Sequence, residues 1–194
     1  MLPNIGVVGR KRTGKDTIAD HLAKRHGYVR VALADPVKEL ALVLNPIVTP
    51  TSSRSGGVRL ASLVAEQGWE RAKDGWPEVR RVLQVFGTDI VRTHFGDRTW
   101  IDLALTKVRE LNAQGAPVVI PDVRFPNEGE HLQVLVSARL LRVTRPCLST
   151  EDNHDSERYT DTMPVDVEVP NTGTVSDLLK RVDDVLGTYE RINA

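Results

Sequence analysis

The chain has 194 residues, with 26 Lys plus Arg against 26 Asp plus Glu, which is enough for one domain with a sizeable core and leaves little room for two. Balanced charge supplies no net field for nucleic acid or a membrane surface, so local basic clusters must be read as sites. The single cysteine, Cys147, excludes an intramolecular disulfide framework and a Cys-based zinc cluster; with no leader-like N-terminus and no apolar run near the ~20 residues of a membrane span, a cytoplasmic protein is expected.

The run Ile5-Gly6-Val7-Val8 predicts a short buried strand. It leads into Gly9-Arg10-Lys11-Arg12-Thr13-Gly14-Lys15-Asp16-Thr17, and a helix with the apolar stripe Ile18, Ala19, Leu22 and Ala23 follows. A strand, a glycine-bounded turn and a helix N-terminus form a phosphate-binding loop, because backbone N–H groups and the positive helix end converge on one spot. Lys15 adds a mobile point charge that follows a phosphoryl group as it moves. The pattern Gly-x4-Gly-Lys is complete, but Asp16 stands where a metal-ligating Ser or Thr is usual, with Thr17 one place later.

Residues Tyr28 to Leu33 predict a second strand, ending at Ala34-Asp35-Pro36. Asp35 then reads as an N-cap and Pro36 as the first helical residue. Ligands of open α/β sheets bind beyond the carboxyl ends of strands, so Asp35 and Lys38 are binding candidates, with simple capping an equally good reading of Asp35. Residues 45–57 are loop-like, and a helix is expected from Val58 to Gln67.

From Trp76 to Ile90 the residues Val79, Val82, Leu83, Phe86 and Ile90 predict one buried helix face. Arg80, Arg81, Gln84 and Thr88 share another. That set is either a solvated surface or a grip for a phosphate and a base edge, since a guanidinium fork holds phosphate oxygens in two places. Gly87 costs about 1 kcal/mol in mid-helix, which implies close packing there.

Thr99 and Asp102 read as the capping box of a helix with the stripe Ile101, Ala104, Leu105 and Val108. Pro117 to Pro121 is a continuous apolar run suited to a parallel strand buried on both faces, and it ends in Asp122-Val123-Arg124. An acid and a base at a strand's carboxyl end flank the expected ligand crevice: Asp122 suits Mg2+ or a reacting oxygen, Arg124 a phosphate. A helix opening at Asn127-Glu128 and a strand from Arg139 to Thr144 follow. Residues 145–164 are polar with little apolar patterning, as in a lid or flap; a metal site at His154 lacks a second His or Cys nearby. The strand Val165 to Val169 and a helix capped by Thr174 and Asp177, with the stripe Val175, Leu178, Leu179, Val182, Val185 and Leu186, close the chain. Alternating strands and helices predict an α/β parallel sheet with right-handed crossovers.

Gly9 to Asp20 (GRKRTGKDTIAD), Leu33 to Lys38 (LADPVK), Arg80 to Asp89 (RRVLQVFGTD), Trp100, Pro121 to Arg124, Arg145-Pro146 with His154 to Glu157, and Asn171-Thr172-Gly173 together resemble the deoxynucleoside monophosphate kinases of tailed bacteriophages, within the P-loop nucleoside monophosphate kinase group. The matches span nearly the whole chain in order, and Asp16 after the lysine fits that family. The resemblance implies a P-loop three-layer α/β/α domain with a mostly parallel five-stranded sheet, an acceptor-side insertion at 45–76 and a flap at 145–164. It implies transfer of the ATP γ-phosphate to a deoxynucleoside monophosphate for phage DNA precursor supply.

Carried over by position, Arg12, Gly14, Lys15, Asp16, Thr17, Arg145, Asn171, Thr172 and Gly173 would contact ATP, with Lys15, Arg12, Asp122 and Arg124 acting in the transfer. Lys11, Asp35, Lys38, Arg81, Gln84, Thr88, Asp89 and Trp100 would serve the acceptor, again with Asp122 and Arg124. Mg2+ would be held by Thr17 or Asp122. No nucleic-acid or membrane partner is implied, and a homodimer is compatible with the sequence. The alternatives are another small-molecule P-loop kinase, such as one acting on dephospho-coenzyme A, and a non-catalytic nucleotide-dependent switch.

Overall fold

In chain order the elements are β1 (Ile5–Val8), α1 (Lys15–His26), β2 (Val29–Arg30), α2 (Asp35–Leu44), β3 (Ile47–Val48), β4 (Val58–Arg59), α3 (Leu60–Gly75), α4 (Pro77–Gln84), a π-helical turn (Val85–Ile90), α5 (Val91–Phe95), α6 (Thr99–Ala113), β5 (Val118–Val123), α7 (Pro126–Val136), β6 (Arg139–Thr144), α8 (Asp155–Thr162), β7 (Val167–Pro170) and α9 (Val175–Ile192). They come from a computed structural model that describes residues 2–49, 57–146 and 155–192. The chain forms two compact units, Met1–Leu33 with Ala104–Ala194, and Ala34–Leu103.

The first unit is built on a five-stranded sheet in the order β2-β5-β1-β6-β7, every pair parallel. Parallel strands are covered by helices on both faces, which is why β1 and β5 read as unbroken apolar runs. All four residues of β1 are buried, and so is β5 apart from Asp122. Ile18, Ala19 and Leu22 of α1 and Leu178, Val182 and Leu186 of α9 meet Ile5, Val7, Val119, Leu141, Val143 and Val169 of the sheet. Each such large side chain, fully buried, contributes roughly 1.5–3 kcal/mol. The α6 stripe Ile101, Ala104, Leu105 and Val108 is buried as its period predicts, whereas Val175, the first member of the α9 stripe, is exposed.

Three strands of this sheet differ from the sequence expectation, and one of them, β5, runs from Val118 through Asp122 to Val123 rather than ending at Pro121. β2 covers Val29–Arg30 rather than Tyr28 to Leu33. Val31 still donates to the Val119 carbonyl at 3.0 Å, but Leu33 N–H is taken by the Asp122 carboxylate at 2.9 Å, and that side-chain bond draws the chain out of the ladder. β7 begins at Val167, not Val165, because the Asp166 carboxylate accepts Leu140 N–H at 2.7 Å and ends the pairing there.

The second unit pairs β3 with β4 antiparallel, Val48 opposite Val58. Its core is Ala41, Val48, Leu60, Leu63, Ala72 and Val79. The expected helix from Val58 therefore starts at Leu60, since Val58 is claimed by the hairpin, and it runs on to Gly75 through a kink at Gly68 (φ 75°, ψ 164°). The residues from 77 to 95 are helical, but the buried face predicted from Val79 to Ile90 breaks down. Val79 is buried, Val82, Leu83 and Phe86 are half-buried, and Ile90 is 42% exposed. The π turn takes more residues per turn than an α-helix, so a position eleven residues on is rotated off the buried side. Thr99 is itself the first residue of α6 rather than its cap, and its hydroxyl donates back to the carbonyls of Phe95 and Gly96.

Candidate active site

β1 delivers Gly9 to Thr13 as a turn, and Gly14 then stands as the N-cap of α1 with φ 110° and no side-chain cap. Two constraints select glycine at position 14. The backbone is left-handed, and a β-carbon would lie 3.0 Å from Leu178 Cδ2 and 3.1 Å from Asn171 Nδ2. The Lys15 ammonium donates to the carbonyls of Gly9 at 2.6 Å and Arg10 at 2.7 Å, so it lies across the turn at the N-terminal end of α1. Lys11 and Arg12 on the turn are exposed, with Arg12 at φ 65°. Basic side chains, a left-handed turn and the first N–H groups of a twelve-residue helix are the parts from which anion sites are built.

Asp16 is exposed and paired with Arg30, which also holds Asp20 at 2.9 Å. Burial would favour losing the Arg30 proton, but its bonds to Asp16 and Asp20 outweigh that and hold the guanidinium firmly charged. The Thr17 hydroxyl is half-buried and makes no hydrogen bond to another described residue. Asp122, at the carboxyl end of β5, is half-buried and accepts Leu33 N–H. Arg124 is exposed, and its N–H, like that of Phe125, is bonded to the buried Glu128 carboxylate, which fixes the turn from β5 into α7.

Asn171 is built into the loop: its Nδ2 donates to Thr13 O at 2.8 Å and its backbone N–H to Thr144 O at 2.7 Å. Thr172 and Gly173 are exposed beside it, with Arg181 Nη1 3.3 Å from Thr172 Oγ1. Arg145 Nη1 reaches Arg12 O at 3.5 Å. A cavity of about 230 Å³ is lined here by Gly9, Arg10, Thr13, Arg142, Thr144 and Asp161.

The family model for deoxynucleotide monophosphate kinases matches residues 4–60 and 59–182. The chain belongs to the deoxynucleotide monophosphate kinase family. A protein of Acanthamoeba polyphaga mimivirus that carries the same kinase name is 26% identical, with 97% of this chain and 98% of its own length covered. The deoxynucleotide monophosphate kinase of Enterobacteria phage T4 is 23% identical, with 92% and 96% covered. Among solved structures, a dephospho-CoA kinase from Campylobacter jejuni superposes over 98% of both chains with a TM-score of 0.50 at 13% identity, which places the kinase in the P-loop α/β fold. The expected fold class holds, including a central sheet of five strands.

The remaining predicted residues of this kinase lie in the Ala34–Leu103 unit. Asp35 is the first residue of α2, one place inside the cap assigned to it, and its carboxylate pairs with Lys38 Nζ at 3.0 Å. Arg81 and Gln84 are exposed on α4, whereas Arg80 is turned back onto Lys73 O and Asp74. The side chains of Thr88 and Asp89 lie outside the described set, as does His154. Trp100 is buried, its indole N–H donating to Gly87 O at 2.6 Å. The close packing implied by Gly87 is present: a β-carbon there would be 3.2 Å from Val37 Cγ1. Arg81 lines a mostly apolar cavity with Ala41, Leu44, Val82, Phe86 and Ile90.

Sequence reasoning gave no role to two arginines. Arg10, inside the loop, is held by the Asp161 carboxylate on α8, with Nε 3.0 Å from Oδ2. Arg142, only 9% exposed, donates to Thr160 O at 2.9 Å, to Glu168 at 2.6 Å and to Met163 O. A charge inside the otherwise apolar Leu140 to Val143 was the available signal. The end of the predicted flap is thus anchored: Thr160 and Met163 are buried.

Proposed function

We propose that this kinase transfers the γ-phosphoryl group of ATP to the phosphate of a deoxynucleoside monophosphate, releasing ADP and the deoxynucleoside diphosphate. The observation that carries the proposal is the Gly9–Thr17 loop with Lys15 across it in a chain of this family. An acceptor phosphate oxygen attacks the γ-phosphorus, and the bond to the β,γ-bridging oxygen breaks. The acceptor is already an anionic nucleophile, so catalysis rests on positioning and charge neutralisation rather than on a strong base.

In this reading the N–H groups of Gly14 to Thr17 and the Lys15 ammonium hold the β- and γ-phosphates. Arg12, Asp122 and Arg124 act on the transferring group, while Arg145 closes over ATP and Asn171 to Gly173 border the adenine. Lys11, Asp35, Lys38, Arg81, Gln84, Thr88, Asp89 and Trp100 serve the acceptor, the 45–76 segment is its insertion, and the 145–164 segment acts as a flap. Thr17 and Asp122 are oxygen donors of the hard kind that Mg2+ prefers, and the unengaged Thr17 hydroxyl fits that use. Bound there, Mg2+ supplies charge neutralisation at the phosphates.

The test is ADP formation from Mg-ATP with each deoxynucleoside monophosphate, each ribonucleoside monophosphate and dephospho-coenzyme A offered separately. Turnover with one or more deoxynucleotides is expected. Turnover with dephospho-coenzyme A alone, or ATP binding with no acceptor-dependent turnover, would overturn the proposal.

A further inference from the structure

At the end of α1 away from the phosphate loop, two imidazoles converge on one carboxylate of α9. His21 Nε2 is 2.6 Å and His26 Nε2 2.7 Å from Asp183 Oδ1, and the three potential ligand atoms lie within 4.8 Å of one another. The rings meet edge to face with centroids 5.4 Å apart. Side-chain exposure is 12% for His21, 22% for His26 and 35% for Asp183, so the cluster is partly covered yet reachable from solvent. Nothing in the phosphoryl-transfer scheme uses it: the α1 rise puts His26 about 16 Å from Lys15.

We propose that His21, His26 and Asp183 form a binding site for a divalent transition metal of the Zn2+ class, with water completing the coordination. Two imidazole nitrogens and one carboxylate oxygen are a zinc-type donor set and a poor one for Mg2+. The protonation chemistry permits it. The second nitrogen of each ring makes no hydrogen bond to a described residue, so each imidazole can move its proton to Nδ1 and free Nε2 to ligate, exchanging only its bond to Asp183 Oδ1 for the shared ion. Asp183 Oδ2 is likewise unengaged. Tetrahedral bonds of 2.0–2.1 Å space ligand atoms about 3.3 Å apart, so Asp183 Oδ1 draws back from each Nε2 by about 0.6–0.7 Å, which partly exposed rotamers allow. His26 is the last residue of α1, and a cation at a helix C-terminus is favoured by the helix dipole.

The site is tested on the untagged, nucleotide-free full chain by titration with Co2+ and Zn2+ alone. One Co2+ per chain with the visible absorption of low-coordinate cobalt, displaced by Zn2+, is expected, together with a Zn2+-dependent rise in melting temperature of roughly 5–10 °C at saturation. His26→Gln and Asp183→Asn should each weaken Co2+ binding by about tenfold or more. Because a variant can fail to fold, the unmutated chain is also carbethoxylated at histidine and read by peptide mass. Zn2+ should protect His21 and His26 together, and millimolar Mg2+ should not. Absence of stoichiometric Co2+ uptake, uptake unchanged in both folded variants, or equal labelling with and without Zn2+ would overturn the site.

Discussion

A β-carbon at position 14 would meet both α9 and the Asn171 amide on a backbone already at φ 110°. Gly14→Ala is therefore expected to cost about 1–3 kcal/mol and to abolish ATP binding, read by thermal unfolding and nucleotide titration. Lys15→Ala should abolish turnover with a smaller change in melting temperature than Gly14→Ala, because it leaves the left-handed Gly14 backbone and the Asn171 bond to Thr13 in place; a wild-type rate would remove Lys15 from the mechanism. Both residues are legible in the sequence because the loop is a local pattern, fixed by nine consecutive residues. The partner of Arg10 is not, since Asp161 lies 151 positions away and no periodicity links a loop arginine to one carboxylate of a polar stretch. Asn171 was assigned to the nucleotide, yet its amide also ties the loop to the end of β7.

At the scale of elements, apolar period located α1, β5, β6, α6 and α9 well, because each has one or two faces against a core. It failed where a single side chain or an extra residue overrode the pattern, as Asp122 does for β2 and the π turn does for Ile90. Asp166 provides an element-scale prediction. Burial pushes its carboxyl up, but the bonds from Leu140 N–H, Arg139 and Gln133 outweigh this and leave it below the usual range. A folded-state value below the unfolded one stabilises the fold above the ordinary carboxylate range, and the contribution is lost as pH falls through the folded value. Asp166→Asn should flatten the acid side of the stability profile, measured by urea unfolding across pH; an unchanged slope would show that the β6 to β7 junction does not depend on that charge.

For the whole molecule, the predicted ATP residues and the predicted acceptor residues Asp35, Lys38, Arg81, Gln84 and Trp100 belong to different compact units. Arg81→Ala should then raise the KM for the acceptor by about tenfold or more while leaving ATP affinity intact, since removing a guanidinium–phosphate contact forfeits a charge-assisted bond worth about 1.5–3 kcal/mol. A fall in ATP affinity with an unchanged acceptor KM would reverse the assignment. The division itself was not legible in the sequence: no linker or change of composition marks residue 34 or 103, and the chain enters and leaves the second unit through Ala34 and through α6, whose apolar stripe continues across the boundary.

On the proposed reading, the two carbonyls that receive the Lys15 ammonium make phosphate capture an exchange reaction. An incoming polyphosphate takes over a cation that neutral oxygens already solvate, so the gain is the difference between charged and uncharged acceptors. Such a loop discriminates by the ligand's charge before it discriminates by shape. Adenosine, which brings no anion to the exchange, should compete poorly with ATP however well its base fits, and the affinity ladder from monophosphate to triphosphate should steepen as ionic strength falls.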